Sequence, residues 1–104
     1  MSTVWQAETA QLPVVLLIDL QQSCHLSDYQ IFWGKDSDWY THSIMLSTDN
    51  KHWISQEEYT EISGQDYSPK KLKTQNIRYL KLTISAIRPE KSRIAIREIL
   101  LYKL

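Results

Sequence analysis

The chain has 104 residues, 42% hydrophobic and 23% charged, with twelve basic residues balancing twelve acidic ones. One domain fits that length, and a formal net charge of zero gives no general attraction to nucleic acid or to an anionic membrane. The longest apolar run (residues 14–18) is far below the roughly 18 residues of a membrane span, no basic-then-apolar signal segment reads from the first residues, and a single cysteine, Cys24, excludes an internal disulfide.

In chain order the pattern is one of short β-type runs divided by polar punctuation. Pro13 precedes Val14-Val15-Leu16-Leu17-Ile18-Asp19-Leu20, a branched run too short for an ordinary helix. Gln21-Gln22-Ser23 interrupts it, and Cys24 beside His25 and Leu26 reads as a small buried residue. Tyr29-Gln30-Ile31-Phe32-Trp33 predicts a second strand, ended by the turn composition Gly34-Lys35-Asp36-Ser37-Asp38. Residues 40–47 predict a third, with Ile44 and Leu46 on one face and Ser43, Met45 and Ser47 on the other.

Thr48-Asp49-Asn50-Lys51 predicts a turn that returns Trp53 over the core. Residues 56–75 are polar and weakly periodic, with a turn at Ser63-Gly64-Gln65; Ser55 to Glu61 reads equally as one helical turn or as a solvated acidic loop. Alternation then returns over residues 77–84, where Leu80, Leu82 and Ile84 share one face and Tyr79, Lys81 and Thr83 the other. After Arg88-Pro89-Glu90-Lys91, residues 93–102 predict a strongly apolar last strand, expected inside a sheet. Strands at this spacing, with four tryptophans and six tyrosines, point to an all-β antiparallel sandwich or barrel.

The order of these pieces is more specific than the class. They run Thr3-x-Trp5-x-Ala7, Pro13 to Ile18-Asp19-Leu20, Ile31-x-Trp33, Ser47-x-Asp49-x-x-x-Trp53, Arg78-Tyr79-Leu80-x-Leu82 and Glu98-Ile99-x-x-Tyr102. The series resembles the discoidin family (coagulation factor V/VIII type C domains), which overlaps the galactose-binding-like carbohydrate-binding modules of bacterial glycosidases. The resemblance covers nearly all of the chain and implies an antiparallel β-sandwich of jelly-roll, galactose-binding-like form over residues 1–104. Relatives carry a segment resembling Asp-Gly-x-x-x-Thr-x-Trp; here the chain starts within it, which implies a sandwich lacking its first strand and a fragment of a larger protein. That segment and a late Glu can hold a structural calcium in relatives, and Thr3 and Glu98 match two of those positions. Calcium takes six or more oxygens, so the implied site is incomplete.

Several roles follow from the residues themselves. Asp19 can cap nearby backbone amides, and Arg78 is expected to pair with a carboxylate at a sheet edge. Trp5, Trp33 and Trp53 are expected in or at the rim of the core.

In sugar-binding relatives the ligand sits on loops at one end of the sandwich, here residues 6–11, 34–40 and 88–92. The middle loop sets Trp39 and Tyr40 among Lys35, Asp36 and Asp38. Sugar recognition needs this mixture, because an aromatic face packs on the C–H face of a pyranose while charged and amide groups bond its hydroxyls. The expected ligand set is Trp39, Tyr40, Lys35 and Asp36, with Gln6, Glu8 and Arg88; Tyr40, which also starts a strand, is the one more prone to fold inward. Lys35 stands where galactose-binding relatives place an Arg.

Nothing in the sequence supports catalysis. His25, His42 and His52 lack metal-ligand spacing and read as surface histidines, and Glu57-Glu58 and Asp36/Asp38 read as solvated loop charges. The expectation is a non-catalytic, glycan-binding accessory module of a larger, bacterial and secreted, periplasmic or cell-surface, glycan-processing enzyme. No nucleic acid, no membrane insertion and a monomeric isolated domain go with it. Two alternatives stay open: a domain that packs on its parent enzyme without binding glycan, and a protein- or lipid-binding discoidin domain, which calls for longer apolar loop tips.

Overall fold

Two-residue alternation gives most of the runs a wet face and a dry one, and the dry faces close on each other. The computed structural model describes residues 12–90 and 94–104, together with the backbone of residues 2–3. Its strands are β1 (Ser2–Thr3), β2 (Val14–Trp33), β3 (Trp39–Ser47), β4 (Ile54–Ser63), β5 (Lys70–Lys71), β6 (Asn76–Arg88) and β7 (Ile96–Lys103). All pairings are antiparallel, in the order β1-β7-β2-β6-β3-β4, with β5 on β2.

The long β2 is what folds this sheet into two layers. Its first part pairs with β6 from Val14↔Ile84 to His25↔Asn76, and its last part pairs with β7 from Leu26↔Lys103 to Trp33↔Ile96. Gln21-Gln22-Ser23, expected as a break, is the register shift between Asp19 and Cys24, where Gln21 takes a positive φ of 75°. An extra length of chain on one side of a ladder bends the strand and increases its twist. Asp19 braces this bend as expected. Its Oδ1 accepts the Gln21 amide at 2.8 Å, and Arg78 donates to both carboxylate oxygens at 3.0 and 3.3 Å. These contacts hold the Asp19 carboxyl below its ordinary pKa, the Arg78 bond contributing most.

Between the layers lie Leu26, Trp33, Ile44, Leu46, Leu80, Leu82, Ile84, Ile96 and Ile99, all essentially buried. The faces expected for residues 80, 82 and 84 and for 44 and 46 are those observed, Trp33 and Cys24 are buried, and β7 lies between β1 and β2. Trp53 differs. It stays half-buried outside the main core, with the Lys81 ammonium 4.3 Å from its ring centre. Lys81 is on the outward parity of β6, so Trp53 shields that side of the sheet.

The acidic stretch from Ser55 to Glu61 is neither helix nor loop; it is part of β4, which among the described residues is an edge strand paired with β3. Its irregular burial hides the alternation. The register slips between His42/Ile44 and Ile44/Met45, and Tyr59 takes a φ of 46° with its amide bonded to the Ser43 hydroxyl. The turn before it behaves as its composition requires. Ser47 Oγ accepts the Asp49 and Asn50 amides, and Asp49 Oδ1 accepts those of Lys51 and His52.

Candidate functional site

The loop linking β2 to β3 (residues 34–38) is held at both ends by close backbone contacts. The Gly34 amide donates to Ala95 O at 2.7 Å, and a Cβ on Gly34 would lie 2.2 Å from that of Ala95. The Gly64 amide donates to Asp38 O at 2.8 Å, which ties this loop to the β4 end. Lys35, Asp36 and Ser37 are exposed, whereas Asp38 is buried, contrary to its reading as a solvated loop charge. Asp36 faces the Arg97 guanidinium at 4.0 Å, and Lys35 has no ion pair among the described residues.

The two adjacent aromatics part company at once. Trp39 is 43% exposed; Tyr40 is fully buried, its ring stacked on Trp33 at 4.6 Å with planes 17° apart. Tyr40 therefore belongs to the core and is withdrawn from the ligand set. Parity explains it, since Tyr40, His42, Ile44 and Leu46 occupy alternate positions of β3 and all face inward. Burial pushes the Tyr40 hydroxyl pKa up, with Asp38 adding in the same direction. His42, expected at the surface, is 2% exposed. Its Nδ1 donates to Thr60 O at 2.8 Å, and burial lowers its pKa, so the ring is neutral with Nε2 as acceptor.

Trp39 is joined on the surface by a residue from another strand. Trp39 pairs with Arg88 across β3 and β6 and with Ser63 across β3 and β4. The Arg88 guanidinium sits 5.5 Å from the Trp39 ring centre and donates two bonds of 2.8 Å to Glu61. A bidentate carboxylate fixes the plane of a guanidinium, and a cation near an indole gains from the ring quadrupole. Glu61 was not expected here; its bond to Arg88 follows only from the register of β3 between β4 and β6.

Of the expected ligand residues, Trp39 and Arg88 are neighbours at this end, with Lys35 and Asp36 exposed on the adjoining loop. Gln6, Glu8 and Trp5 lie outside the described residues, as does the rest of the 6–11 loop. Thr3 pairs with Ile99, which places its backbone on the strand beside that of Glu98. Among the described residues no group of three or more His, Cys, Asp or Glu could hold a metal ion.

A second concavity opens beside this end, between the two layers. It has a volume of about 230 Å³ and is walled by β4 and by the chain from Asp66 to Lys70, with Tyr29, Ile31, Trp33 and His42 beneath. Its wall is tied in place from several sides. Gln56, itself buried, donates to Lys71 O at 3.0 Å and accepts the Lys73 amide at 2.7 Å, bridging β4 to β5. Tyr67 stacks on Phe32 at 5.6 Å, and its carbonyl accepts a bond from the Gln30 side-chain Nε2 at 2.5 Å. Asp66 accepts bonds from Ser68 and from Lys70, which pull its pKa down to about 2.

Compared with known proteins, the chain matches no family model and no curated protein. Solved structures do match. A pectin-binding carbohydrate-binding module superposes with a TM-score of 0.73 at 24% identity, over 95% of this chain and 70% of that one. The CBM32 of AlyQ, in complex with 4,5-unsaturated mannuronic acid, gives 0.76 at 19% identity, over 98% and 78%. A truncated AlyQ holding CBM32 and alginate lyase domains gives 0.69 at 18% identity, over 98% of this chain and 27% of that one. At these identities the likeness shows the fold: an all-β sandwich of the kind that carbohydrate-binding modules use.

Proposed function

We propose that this chain is a non-catalytic carbohydrate-binding accessory module of a larger glycan-processing protein. Glycan docks on Trp39, with Lys35, Asp36 and Arg88 bonding its hydroxyls. The observation that carries this reading is Trp39 itself, a large aromatic left exposed at a loop end and flanked by a guanidinium that Glu61 holds in place. Such a surface supplies both halves of sugar recognition, an apolar platform and oriented polar groups. The solved neighbours support it, since one is described as pectin-binding and another holds an unsaturated mannuronic acid. We infer a secreted, periplasmic or cell-surface parent, because an enzyme acting on extracellular polysaccharide would work outside the cytoplasm.

Titrating the chain with pectin and alginate oligosaccharides, followed by amide NMR, tests the assignment. Shifts at Lys35, Asp36 and Trp39 are expected, and Trp39→Ala should weaken binding about tenfold or more. A chain whose 35–39 amides respond to no sugar would overturn it.

A different face favours the reading in which the domain packs on its parent. Val15 and Leu17 are about half exposed on the outward side of β2, next to Thr83 and Lys81 of β6. Protection of this face from solvent exchange in the parent protein, with no response to sugar, would select that reading.

A further inference from the structure

We propose that the concavity between the layers is a second glycan subsite, distinct from the Trp39 surface, that takes one neutral or amino sugar ring and rejects uronates. Its volume of about 230 Å³ lies below the roughly 300–1,000 Å³ of sites for drug-sized ligands. One pyranose ring is the scale that fits, and an oligosaccharide would have to leave through the mouth.

The floor is aromatic and apolar, from Tyr29, Ile31 and Trp33. The Trp33 indole N–H is buried and has no acceptor among the described residues. A donor in that state costs free energy unless something bonds it. His42, also in the floor, is neutral and has its Nδ1 committed to Thr60, which leaves Nε2 as an acceptor. A hydroxyl can accept from an N–H and donate to an imine nitrogen, so it is chemically matched to both groups.

The wall sets the charge preference. Glu57, Glu61 and Asp66 line it; Asp66 is paired with Lys70 at 2.9 Å and Glu61 with Arg88, which leaves Glu57 as the carboxylate without a cation among the described residues. Carboxylates accept bonds from several ring hydroxyls and attract an ammonium, but repel a second carboxylate in a recess of reduced dielectric. Thr60 and Ser68 also line it, their hydroxyls donating to Glu57 and Asp66. The site is also braced before any ligand arrives, because the Gln56 bridge and the Tyr67–Phe32 stack hold its wall. Little ordering remains to be done on binding.

This subsite does not depend on the Trp39 surface, and the two can be told apart in one experiment. The chain would be titrated with D-galactose, D-glucosamine and D-galacturonate at millimolar concentrations, reading amide resonances and the Trp33 indole N–H. The expected result is movement of the Trp33 indole and of the Thr60 and Ser68 amides with galactose and glucosamine, and none with galacturonate. Glu57→Gln and Ser68→Ala, both at the rim and outside the core, should each weaken that response about two- to tenfold and leave shifts at residues 35–39 unchanged. The subsite is overturned if the indole and wall amides stay still with all three sugars, or if galacturonate moves them as strongly as galactose. Wall shifts without shifts at 35–39 would uphold the subsite and count against the Trp39 surface instead.

Discussion

Gly64 approaches Lys35 so closely that a Cβ on Gly64 would lie 1.9 Å from the Lys35 carbonyl oxygen. The obstacle is main chain, which cannot rotate aside, and its neighbour is the Asp38 carbonyl that accepts the Gly64 amide. This contact docks the loop bearing Lys35 and Asp36 against the end of β4.

Gly64→Ala is accordingly expected to destabilise the domain by about 3 kcal/mol, or to displace the loop. Thermal unfolding would register the first outcome as a fall of roughly 12–24 °C, and altered shifts across residues 34–39 the second. A variant with wild-type melting and an unmoved loop would mean that the contact is not needed.

Gln56 bridges the layers through two side-chain bonds. Gln56→Ala would remove both bonds, at a cost of about 1–3 kcal/mol for the pair. The loss should be local first. Amide exchange at Lys73 is expected to accelerate before the β3–β6 ladder is affected, because β5 is only two residues long and, among the described residues, pairs with β2 alone. Uniform acceleration throughout the chain would contradict this local role.

Asp49 and His52 form a pH-dependent clasp on the β3–β4 turn. His52 Nδ1 is 2.7 Å from Asp49 Oδ2, which raises the His52 pKa above its ordinary value, while the His52 bonds depress that of Asp49. For the raised histidine, the stabilising contribution is complete below about 6.5 and disappears as pH rises through its folded pKa. For the depressed aspartate, it is complete above about 4 and disappears as pH falls through its folded pKa. The turn should therefore be tightest between about pH 4 and 6.5. Asp49→Asn should return the His52 titration, followed by NMR, to near 6.5; an unchanged His52 pKa would remove the pairing.

The outline of this protein was legible wherever one face of a strand is dry. Leu80-x-Leu82-x-Ile84 and Ile44-x-Leu46 announce their inward sides because burial demands apolar residues at every second position. Asp19, Arg78 and Asp49 also acted as their chemistry suggests, since capping and ion pairing are short-range. Extending the parity of Ile44 and Leu46 back two steps would have put His42 and Tyr40 inside and Trp39 outside.

The strand β4 was not legible for a physical reason. It is an edge strand whose side chains line a polar recess, so Glu57, Thr60 and Glu61 need not be apolar, and the slips around Ile44 and Tyr59 break its phase. What the amino-acid order determined alone is the alternation, the turns, the all-β class and an aromatic at a polar loop end. Which aromatic is presented, which acid grips Arg88, and that Glu57, Asp66, His42 and Trp33 share one recess were decided only by tertiary structure. Those relations join β2, β3, β4, β6 and the 66–70 segment, and their spacing depends on strand register and layer packing, which no local pattern contains.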